Sequence, residues 1–376
     1  MKIDHIETFA FRLPIEKPVA TSFGIMTNRP AVFVKLTAQD GVYGWGEIFA
    51  NWPAAGAEHR ARLLIEDVAE ILFSIEAETP SRFWQQLNAG VSTRAVQCGE
   101  PGPFNQVVAG IDTAINDIAA RRAGLPLAQY LNANAGNTIP TYSSGIAIYN
   151  AVDEIENARN NGFKNFKVKV GFDKEQDLAT LSQLSRNLKP DELLFADANQ
   201  AWNLTQAIDN MKSADDLGLG WIEEPISAQT SINDWNELAA KIKTPIAAGE
   251  NIVGDQDFKT AIASNAFSYI QPDVAKWGGI TGCYRVGKAA TNAGQTYCPH
   301  FLGGGIGLIA SAHLLTAVGG NGLLELDVNP NILRDAFLSN ELVDGNWSIN
   351  KSAGLGISEF PESILQYQTL ALSKSR

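Results

Sequence analysis

Seven polar residues recur along the second part of the chain at intervals of 23 to 28 residues. Each stands at or near the C-terminal end of a short apolar stretch, where the strands of a (β/α) barrel carry their active-site groups. Ammonium, imidazole and carboxyl groups together provide the means for acid–base chemistry. The spacing therefore indicates both a (β/α) barrel and the position of its active site. The seven residues are Lys169, Asp197, Glu223, Glu250, Asp273, His300 and Glu325.

Three of the carboxylates, on adjacent predicted strand ends, would repel one another unless a cation lies between them. Asp197, Glu223 and Glu250 offer hard oxygen ligands with no thiolate and no paired histidine, which favours Mg²⁺ or else Mn²⁺. Taken singly, each acid is more often a helix N-cap or part of a surface ion pair; their even spacing indicates a metal site. Glu224 is expected to face away from Glu223 and to lie outside the site.

Two lysines and a histidine are candidates for proton transfer. Lys167 and Lys169 lie two residues apart on a predicted strand, so both should point into the barrel mouth, where repulsion would lower the pKa of each. Asp273 beside His300 would orient the imidazole ring and raise its basicity, which gives a general base or acid. A lone lysine pair usually lies on a solvated edge strand, and a lone histidine is usually a packing residue. These roles are therefore assigned only because all the polar residues occur together.

Glu325 ends the last predicted strand in an apolar setting, and we expect its carboxyl to stay protonated and to donate a hydrogen bond to an anionic substrate. The glycine-rich segment 303–307 follows a strand, opens a helix and imitates a dinucleotide-binding fingerprint. Too few residues follow Asp327 to complete a dinucleotide-binding sheet. These glycines are therefore predicted to let the backbone approach a ligand or another strand end closely.

The elements that must position these residues are strands alternating with helices, a pattern that closes a parallel barrel when the strands number eight. The predicted helices include 151–161, 177–188, 205–217, 232–242 and 280–293. The predicted strands are 139–144, 164–170, 193–196, 220–223, 245–248, 268–271, 296–299 and 323–326.

The N-terminal part of the chain has a different pattern, with strands first and helices after them, which predicts an α+β domain over residues 1–125. The barrel is assigned to residues 126–328, and the segment 329–376 is predicted to pack back on the first domain. Within the first domain we predict strands at 2–12, 31–37 and 42–47, helices at 57–74, 81–88 and 106–122, and loops at 20–30 and 50–56.

The composition excludes several classes of protein. A net charge of −12 and a pI near 4.9 disfavour binding to nucleic acid or to an anionic membrane. The N-terminus lacks the apolar core of a signal peptide, and no run of 18 apolar residues is present. The three cysteines are widely spaced, which fits a reducing compartment and gives no zinc site. We therefore expect a cytoplasmic protein.

With these residues and their spacing taken together, the chain resembles the enolase superfamily, and within it the mandelate racemase subgroup, over nearly its whole length. The resemblance implies a modified (β/α)₇β TIM-like barrel, an N-terminal capping domain and a C-terminal segment that returns to the cap. The muconate-lactonizing branch carries lysine where this chain has Asp273, which argues against that branch. The implied roles are Mg²⁺ binding by Asp197, Glu223 and Glu250, a base at Lys169, a dyad of His300 and Asp273 on the opposite face, support of the enolate by Lys167 and Glu325, and Lys276 near the metal.

The chemistry that the resemblance implies is abstraction of the α-proton of a small-molecule carboxylate to give an enediolate, whose new charge Mg²⁺ and Lys167 would stabilise. Dehydration of an acid sugar to a 2-keto-3-deoxy acid is favoured. A racemase or epimerase of a 2-hydroxy acid is the alternative, and a non-catalytic binding barrel is a third reading. We expect a homo-oligomer. Further residues expected to face the substrate are Asn199 at the barrel mouth and Arg29, Asn28 and Trp52 in the cap loops.

Overall fold

The computed structural model describes residues 1–21, 24–338 and 342–376 of the chain. An antiparallel sheet of order β13-β1-β2-β3 forms the base of the N-terminal domain. Its outer strand β13 comes from the C-terminal end of the described chain, so the sheet joins segments from both ends of the sequence. The strands are β1 (Ile3–Thr21), β2 (Gly24–Ala38), β3 (Tyr43–Ile48) and β13 (Gln368–Ser375).

Helix α4 packs directly against β3 because glycines on the strand remove the side chains between them. A Cβ atom at Gly46 would lie 2.0 Å from the carbonyl oxygen of Gly110, and one at Gly44 would lie 2.2 Å from that of Ala114. The three helical segments predicted for this domain are confirmed, although α3 extends well past residue 88 because Val91 and Ala95 continue its buried face. The helices are α1 (Gly56–Leu63), α2 (Ala69–Ser74), α3 (Pro80–Gln97), α4 (Pro101–Ala123) and α5 (Leu127–Leu131), with a π-helical stretch at Leu64–Val68.

The predicted loop over residues 20–30 is wrong. Strands β1 and β2 continue through most of it as a hairpin, with Ala20 opposite Ile25 and Thr21 opposite Gly24. Ser22 and Phe23 lie outside the described residues. Three prolines of this hairpin, Pro14, Pro18 and Pro30, conceal the strands, because proline lacks the N–H of a regular ladder. Pro30 pairs with Arg12, and the register shifts between Pro14 and Val19, the interval that contains Pro18.

The second sheet is parallel and curls into a barrel, which confirms the predicted fold. Within the described residues its order is β10-β9-β8-β7-β6-β5-β4-β11, so the last strand lies beside the first. The thiol of Cys298, just after β10, donates to the carbonyl of Leu323, just before β11, at 3.1 Å. The strands are β4 (Thr138–Ala147), β5 (Asn165–Lys169), β6 (Leu193–Asp197), β7 (Ile222–Glu223), β8 (Ile246–Ala248), β9 (Tyr269–Ile270), β10 (Thr296–Tyr297) and β11 (Leu324–Asp327).

A helix follows each of the first seven barrel strands, as a (β/α)₇β arrangement requires. The five barrel helices predicted from the sequence are all present, with ends shifted by a few residues. The helices are α6 (Ala151–Asn160), α7 (Lys174–Arg186), α8 (Leu204–Ala214), α9 (Ile232–Lys241), α10 (Asp255–Ser264), α11 (Gly279–Asn292) and α12 (Gly305–Val318).

Aromatic side chains fill the barrel interior beneath the polar mouth. The rings of Phe195 and Trp221 stack with their centroids 3.6 Å apart, and Tyr142 packs edge-on against both. Side chains two residues apart on a strand face the same way. Asp197 therefore stands above Phe195, and Glu223 above Trp221, so one alternation supplies both the core and the site.

After β11 the chain runs back along the molecule. A short helix α13 (Ile332–Asp335) leads to β12 (Asn346–Ser348), which pairs antiparallel with β4. Helix α14 (Glu362–Leu365) then precedes β13, whose pairing with β1 completes the cap sheet. In the part of the chain that is described, none of the helices has both the length and the apolar character needed to cross a membrane.

Glu58 on α1 fastens the returning strand to the first one. Its carboxylate accepts from Arg12 Nε on β1 at 2.8 Å and from the Thr369 hydroxyl on β13 at 2.7 Å. The bond from Arg12 lowers the pKa of Glu58 from its usual value of 4.5 to about 2, although burial opposes the shift. Because the folded pKa lies below the unfolded one, this ionised carboxylate stabilises the fold above pH 4.5, and the stabilisation is lost as the pH falls towards 2.

We predict that Glu58→Gln lowers the thermal midpoint at neutral pH and flattens its decline between about pH 4.5 and 2, measured by circular dichroism against wild type. The control is Glu66→Gln, which removes an exposed ion pair with Arg62 (3.4 Å) and should leave both the midpoint and the slope nearly unchanged. Equal acid slopes in Glu58→Gln and wild type would contradict the assignment.

Candidate active site

The structure places all seven polar residues around one mouth of the barrel: three end β5, β6 and β7, three lie just beyond β8, β9 and β10, and Glu325 lies within β11. Lys169, Asp197 and Glu223 lie side by side in register on three neighbouring strands. Asp273 and His300, which follow β9 and β10, are joined by a parallel β-bridge. The regular spacing in the sequence therefore corresponds to one continuous arc of side chains.

Lys167 lies at the bottom of this arc, and its side chain is 1% exposed. Its ammonium contacts the two oxygens of Glu223 at 2.7 and 2.8 Å, Glu325 at 2.8 Å and Asp197 at 3.7 Å. Burial alone would lower the pKa of Lys167, but the three carboxylates raise it well above its usual value. The prediction of a lowered pKa is therefore wrong, because attraction to these carboxylates outweighs repulsion by one neighbouring ammonium.

Lys169 lies nearer the opening and contacts a different pair of groups. Its ammonium is 2.5 Å from Asp197 Oδ2 and donates to Asn199 Oδ1 at 2.7 Å. Burial and Lys167 both lower the pKa of Lys169, but Asp197 raises it enough that the net direction is upward, again contrary to the prediction. Asn199, in a left-handed conformation with φ 43°, also donates its backbone N–H to Asp197 Oδ1 at 2.8 Å. Asn199 thus holds both partners of the pair.

His300 lies between two carboxylates. Its Nδ1 is 2.7 Å from Asp273 Oδ2 and its Nε2 is 2.8 Å from Glu250 Oε2. Burial lowers the pKa of His300, but Glu250, Glu325 and Asp273 together raise it well above its usual value, so both ring nitrogens carry protons. Backbone N–H groups of Ala275 and Lys276 donate to Asp273 Oδ1, which fixes the other oxygen towards the ring.

Glu325 is ionised in this structure, so the prediction of a protonated carboxyl is wrong. Burial raises the pKa of Glu325, but the ammonium of Lys167 and the charge of His300 lower it to about 2. The Ser144 hydroxyl donates to one carboxylate oxygen at 2.5 Å and the Phe301 N–H to the other at 3.0 Å. The apolar sequence around Glu325 does not reveal these partners, which come from two other segments.

The three candidate metal ligands each have a cationic partner in this structure. Asp197 pairs with Lys169, Glu223 with Lys167, and Glu250 with His300 and, at 3.4 Å, with Lys276. No group of three histidine, cysteine or acidic side chains among the described residues is arranged around one point as a metal site would be. The donor set nevertheless fits a hard divalent cation, because Asp197 and Glu223 are buried at the ends of β6 and β7 and Glu250, 12% exposed, follows β8 beside the same opening.

Several residues at this edge were missed or misplaced by the sequence analysis. Glu224 adopts φ 39°, which breaks the strand alternation, and its carboxylate accepts from Asn251 Nδ2 at 2.9 and 3.0 Å. The same amide donates to Glu250 at 3.0 Å, so the prediction that Glu224 faces away from the site is wrong. Gln271 donates to Glu223 at 3.0 Å. Its position in the predicted strand 268–271, beside the site, was the only signal available.

The cap residues predicted to face the substrate have partners within the protein. Arg29 is 4% exposed and its guanidinium is 3.0 Å from Asp327, two residues beyond Glu325 on β11. Asn28 accepts from Arg12 at 3.0 Å, on the other side of the same hairpin. Trp52 is partly buried and lies against Gly24, where a Cβ atom would be 2.7 Å from its ring. Arg29 thus reaches the rim of the barrel.

The glycine-rich segment 303–307 opens helix α12 but binds a carboxylate of the protein itself. Glu47, on β3 of the cap, accepts from the N–H groups of Gly304 and Gly307. A Cβ atom at Gly303 would lie 2.7 Å from the same carboxylate. The glycines do allow a close approach of the backbone, as predicted, but to the side chain of a residue near the end of β3, and the parallel barrel excludes a dinucleotide-binding sheet here.

Comparison with known proteins gives consistent matches over the whole chain. Residues 5–132 match the family model of the mandelate racemase/muconate lactonizing enzyme N-terminal domain, and residues 150–362 match that of the enolase C-terminal domain-like family. The chain is 25% identical to D-galactarolactone cycloisomerase from Agrobacterium fabrum, over 98% of this chain and 99% of that protein. It is 29% identical to L-talarate/galactarate dehydratase from Salmonella typhimurium, over 80% of this chain and 76% of that one.

Solved structures show the same likeness. A crystal structure of a mandelate racemase/muconate lactonizing enzyme from Bordetella bronchiseptica superposes with a TM-score of 0.91 at 39% identity, covering 98% of this chain and 99% of that chain. The structure of an L-talarate/galactarate dehydratase mutant, liganded with Mg and L-glucarate, superposes with a TM-score of 0.85 at 25% identity, covering 100% of this chain and 94% of that one.

Removal of the central ammonium tests the charge balance of the site. We predict that Lys167→Met lowers the free energy of unfolding by about 3–5 kcal/mol, because it leaves Glu223 and Glu325 buried without their cation. The measurement is urea denaturation followed by fluorescence. In the control, Lys174→Met removes an exposed ion pair with Asp209 and should cost under about 1 kcal/mol. Equal losses in the two variants would contradict the prediction.

Proposed function

This chain belongs to the mandelate racemase/muconate lactonizing enzyme family of the enolase superfamily, and from that premise we propose that it is a Mg²⁺-dependent enzyme that removes the α-proton of a small-molecule carboxylate. The observation that carries the proposal is the placement of Lys169 and His300 on different walls of one mouth, with Lys167 buried between carboxylates beneath them. A substrate between the two walls has a proton-transfer group on each side.

The finer proposal is dehydration of an acid sugar to a 2-keto-3-deoxy acid. It is supported by the relative named L-talarate/galactarate dehydratase and by the two carboxylate contacts of His300, which suit a proton donor. The proposed units are a capping domain over residues 1–125, the catalytic barrel over 126–328 and a segment over 329–376 that completes the cap.

The proposed steps use groups of this chain in a fixed order. Lys169, in its neutral amine form, takes the α-proton at Nζ, and the electron pair of the broken C–H bond moves onto the carboxylate. Lys167 holds a carboxylate oxygen, and Glu325, which accepts from the Ser144 hydroxyl, holds Lys167 in place. His300 then gives a proton to the β-hydroxyl, which leaves as water, and the resulting enol tautomerises to the ketone.

Metal binding is proposed for the three carboxylates Asp197, Glu223 and Glu250. When bound there, Mg²⁺ supplies electrostatic stabilisation of the charge that develops on the substrate carboxylate. The liganded mutant of L-talarate/galactarate dehydratase supports this assignment, because its structure contains Mg and L-glucarate. Asn199 beside Lys169, and Arg29 and Trp52 in the cap, are proposed to contact the rest of the substrate.

Racemisation or epimerisation is the alternative, and the same two walls favour it. Return of a proton from His300 to the α-carbon, on the face opposite Lys169, inverts the configuration without loss of water. The two outcomes differ only in what His300 protonates.

The proposal predicts distinct products from one screen. Proton NMR in D₂O with Mg²⁺, over a library of mono- and diacid sugars and 2-hydroxy acids, should show conversion of an acid sugar to a 2-keto-3-deoxy acid. Deuterium at the α-carbon with no loss of water would instead establish the racemase or epimerase. Conversion should be lost in Lys169→Met, whereas His300→Asn should slow dehydration by about 10²–10⁴-fold and leave α-deuteration. No turnover and no exchange with any acid would contradict the proposal.

Metal binding has its own test, which needs no substrate. Mg²⁺ at about 100 times its dissociation constant should stabilise the wild type by about 2.7 kcal/mol, seen as a rise in thermal midpoint. The rise should vanish in Glu223→Gln and persist in Glu237→Gln, which alters an exposed ion pair with Lys241 on α9. A wild type that does not respond to Mg²⁺ would favour the non-catalytic binding barrel.

A further inference from the structure

The segment 300–304, between β10 and α12, carries His300 and has little regular structure of its own. Its backbone is held instead by side chains from other parts of the chain. The Phe301 N–H donates to Glu325 at 3.0 Å, and the Leu302 carbonyl accepts from Asn51 at 2.8 Å. The Gly303 carbonyl accepts from Asn331 at 3.0 Å, and the Gly304 N–H donates to Glu47. The backbone groups of four consecutive residues are thus each held by a different side chain.

Two of these four partners, Glu47 and Asn51, belong to the cap. Glu47 is near the end of β3, is 4% exposed and also accepts from the Gly307 N–H at 2.7 Å, inside the first turn of α12. Because the N-terminal N–H groups of a helix have no partner within it, a carboxylate there satisfies two of them and interacts favourably with the helix dipole. Asn51 stands four residues later, next to Trp52.

The glycines of the segment are shaped for this carboxylate. Cβ atoms at Gly303 and Gly304 would lie 2.7 and 3.0 Å from Glu47 Oε1, and one at Gly307 would lie 3.2 Å from Oε2. The glycine pattern that imitates a nucleotide site is therefore accounted for by close packing within the protein, in which Glu47 acts together with the rings of Phe33, Phe301 and Phe337.

We propose that Glu47 is a positioning residue for His300: it holds the segment 300–304 so that the imidazole stays against Asp273 and Phe301 stays against Glu325. Asn51 acts with it, so the cap loop that carries Trp52 and the segment that carries His300 are linked through two short contacts. Lys169, on β5, is outside this linkage. Burial raises the pKa of Glu47 to about 8, with the N–H groups of Gly307 and Gly304 opposing the rise and Asp273 adding to it, so the measurements below are made above pH 8, where the group is an ionised carboxylate.

The test uses Glu47→Gln, in which an amide can accept only one of the two N–H groups and turns its own donor towards the other. The matched control is Asp112→Asn. Asp112 is likewise a buried cap carboxylate, and it accepts from the Thr281 N–H at 2.7 Å in the first turn of α11, away from segment 300–304. Both variants weaken the contact between cap and barrel, but only one changes the support of His300.

One readout needs no activity. The Nδ1 proton of His300, bonded to Asp273, should give a downfield signal in ¹⁵N-histidine-labelled protein, which contains four histidines in all and is assigned with His300→Asn. In Glu47→Gln we expect this signal to broaden or disappear, because the Nδ1 proton exchanges faster with water. In Asp112→Asn we expect the signal to remain. An unchanged signal in Glu47→Gln would overturn the proposal.

The second readout rests on the proposed function. In D₂O, Glu47→Gln should lose at least about tenfold in dehydration, which needs His300, while α-deuteration by Lys169 stays within about twofold of the wild type. A parallel loss of both steps, as large in Asp112→Asn, would show a structural role only and overturn the proposal. If the wild type has neither activity, the proposed function fails, and the histidine signal still decides the positioning role.

Should Glu47→Gln fail to fold, Asn51→Ala provides the same two readouts, because it removes the bond to the Leu302 carbonyl and leaves the helix terminus intact. The histidine signal should then broaden relative to Asp112→Asn. A signal as sharp as in the control would overturn the proposal for the linked pair.

Discussion

The ammonium of Lys167 is the interaction around which the barrel mouth is built. A charge that is 1% exposed is tolerated only with partners of opposite sign, and its partners come from β6, β7 and β11. Strands β7 and β11 are not neighbours in the sheet, so the contact joins its distant parts. The surrounding bonds from Ser144 and Gln271 keep the two carboxylates aimed at the ammonium. Any charge added to or removed from this mouth must be balanced by movement of these groups.

The sequence predicted the arc of polar residues because the geometry behind it is local. Alternation on a short strand places Asp197 above Phe195 without reference to the rest of the chain, and repetition of one strand and one helix gives the interval. The same locality explains the correct strands and barrel helices. The hairpin through residues 20–30 was missed because its evidence is the pairing partner, and its prolines locally favour a loop.

The raised pKa of His300 beside Asp273 was predicted correctly, whereas the direction of the pKa shifts of Lys167, Lys169 and Glu325 could not be predicted, because it depends on contacts between distant segments. Two lysines on one strand show only their mutual repulsion in the sequence; the carboxylates that outweigh it belong to other strands. The sequence around Glu325 is apolar, and only the fold brings the Ser144 hydroxyl and the Phe301 N–H beside its carboxylate. The direction of the Glu224 side chain was predicted wrongly for a backbone reason, because strand alternation does not reveal a φ of 39°. The errors in the pKa shifts arise from long-range contacts, which a period of two or of 25 does not encode.

The cap sheet also has a consequence for the order in which the protein is made. Strand β1 has β13 as a partner, and the contact between His5 and Ser375 spans 370 positions of sequence. A ribosome synthesises the whole barrel between these two strands, at a rate of roughly 5–20 residues per second. During those tens of seconds β1 has one open edge, which is a hazard for aggregation. Molecular chaperones that shield nascent strand edges should therefore affect the yield of this protein more strongly than the stability of its folded state affects that yield.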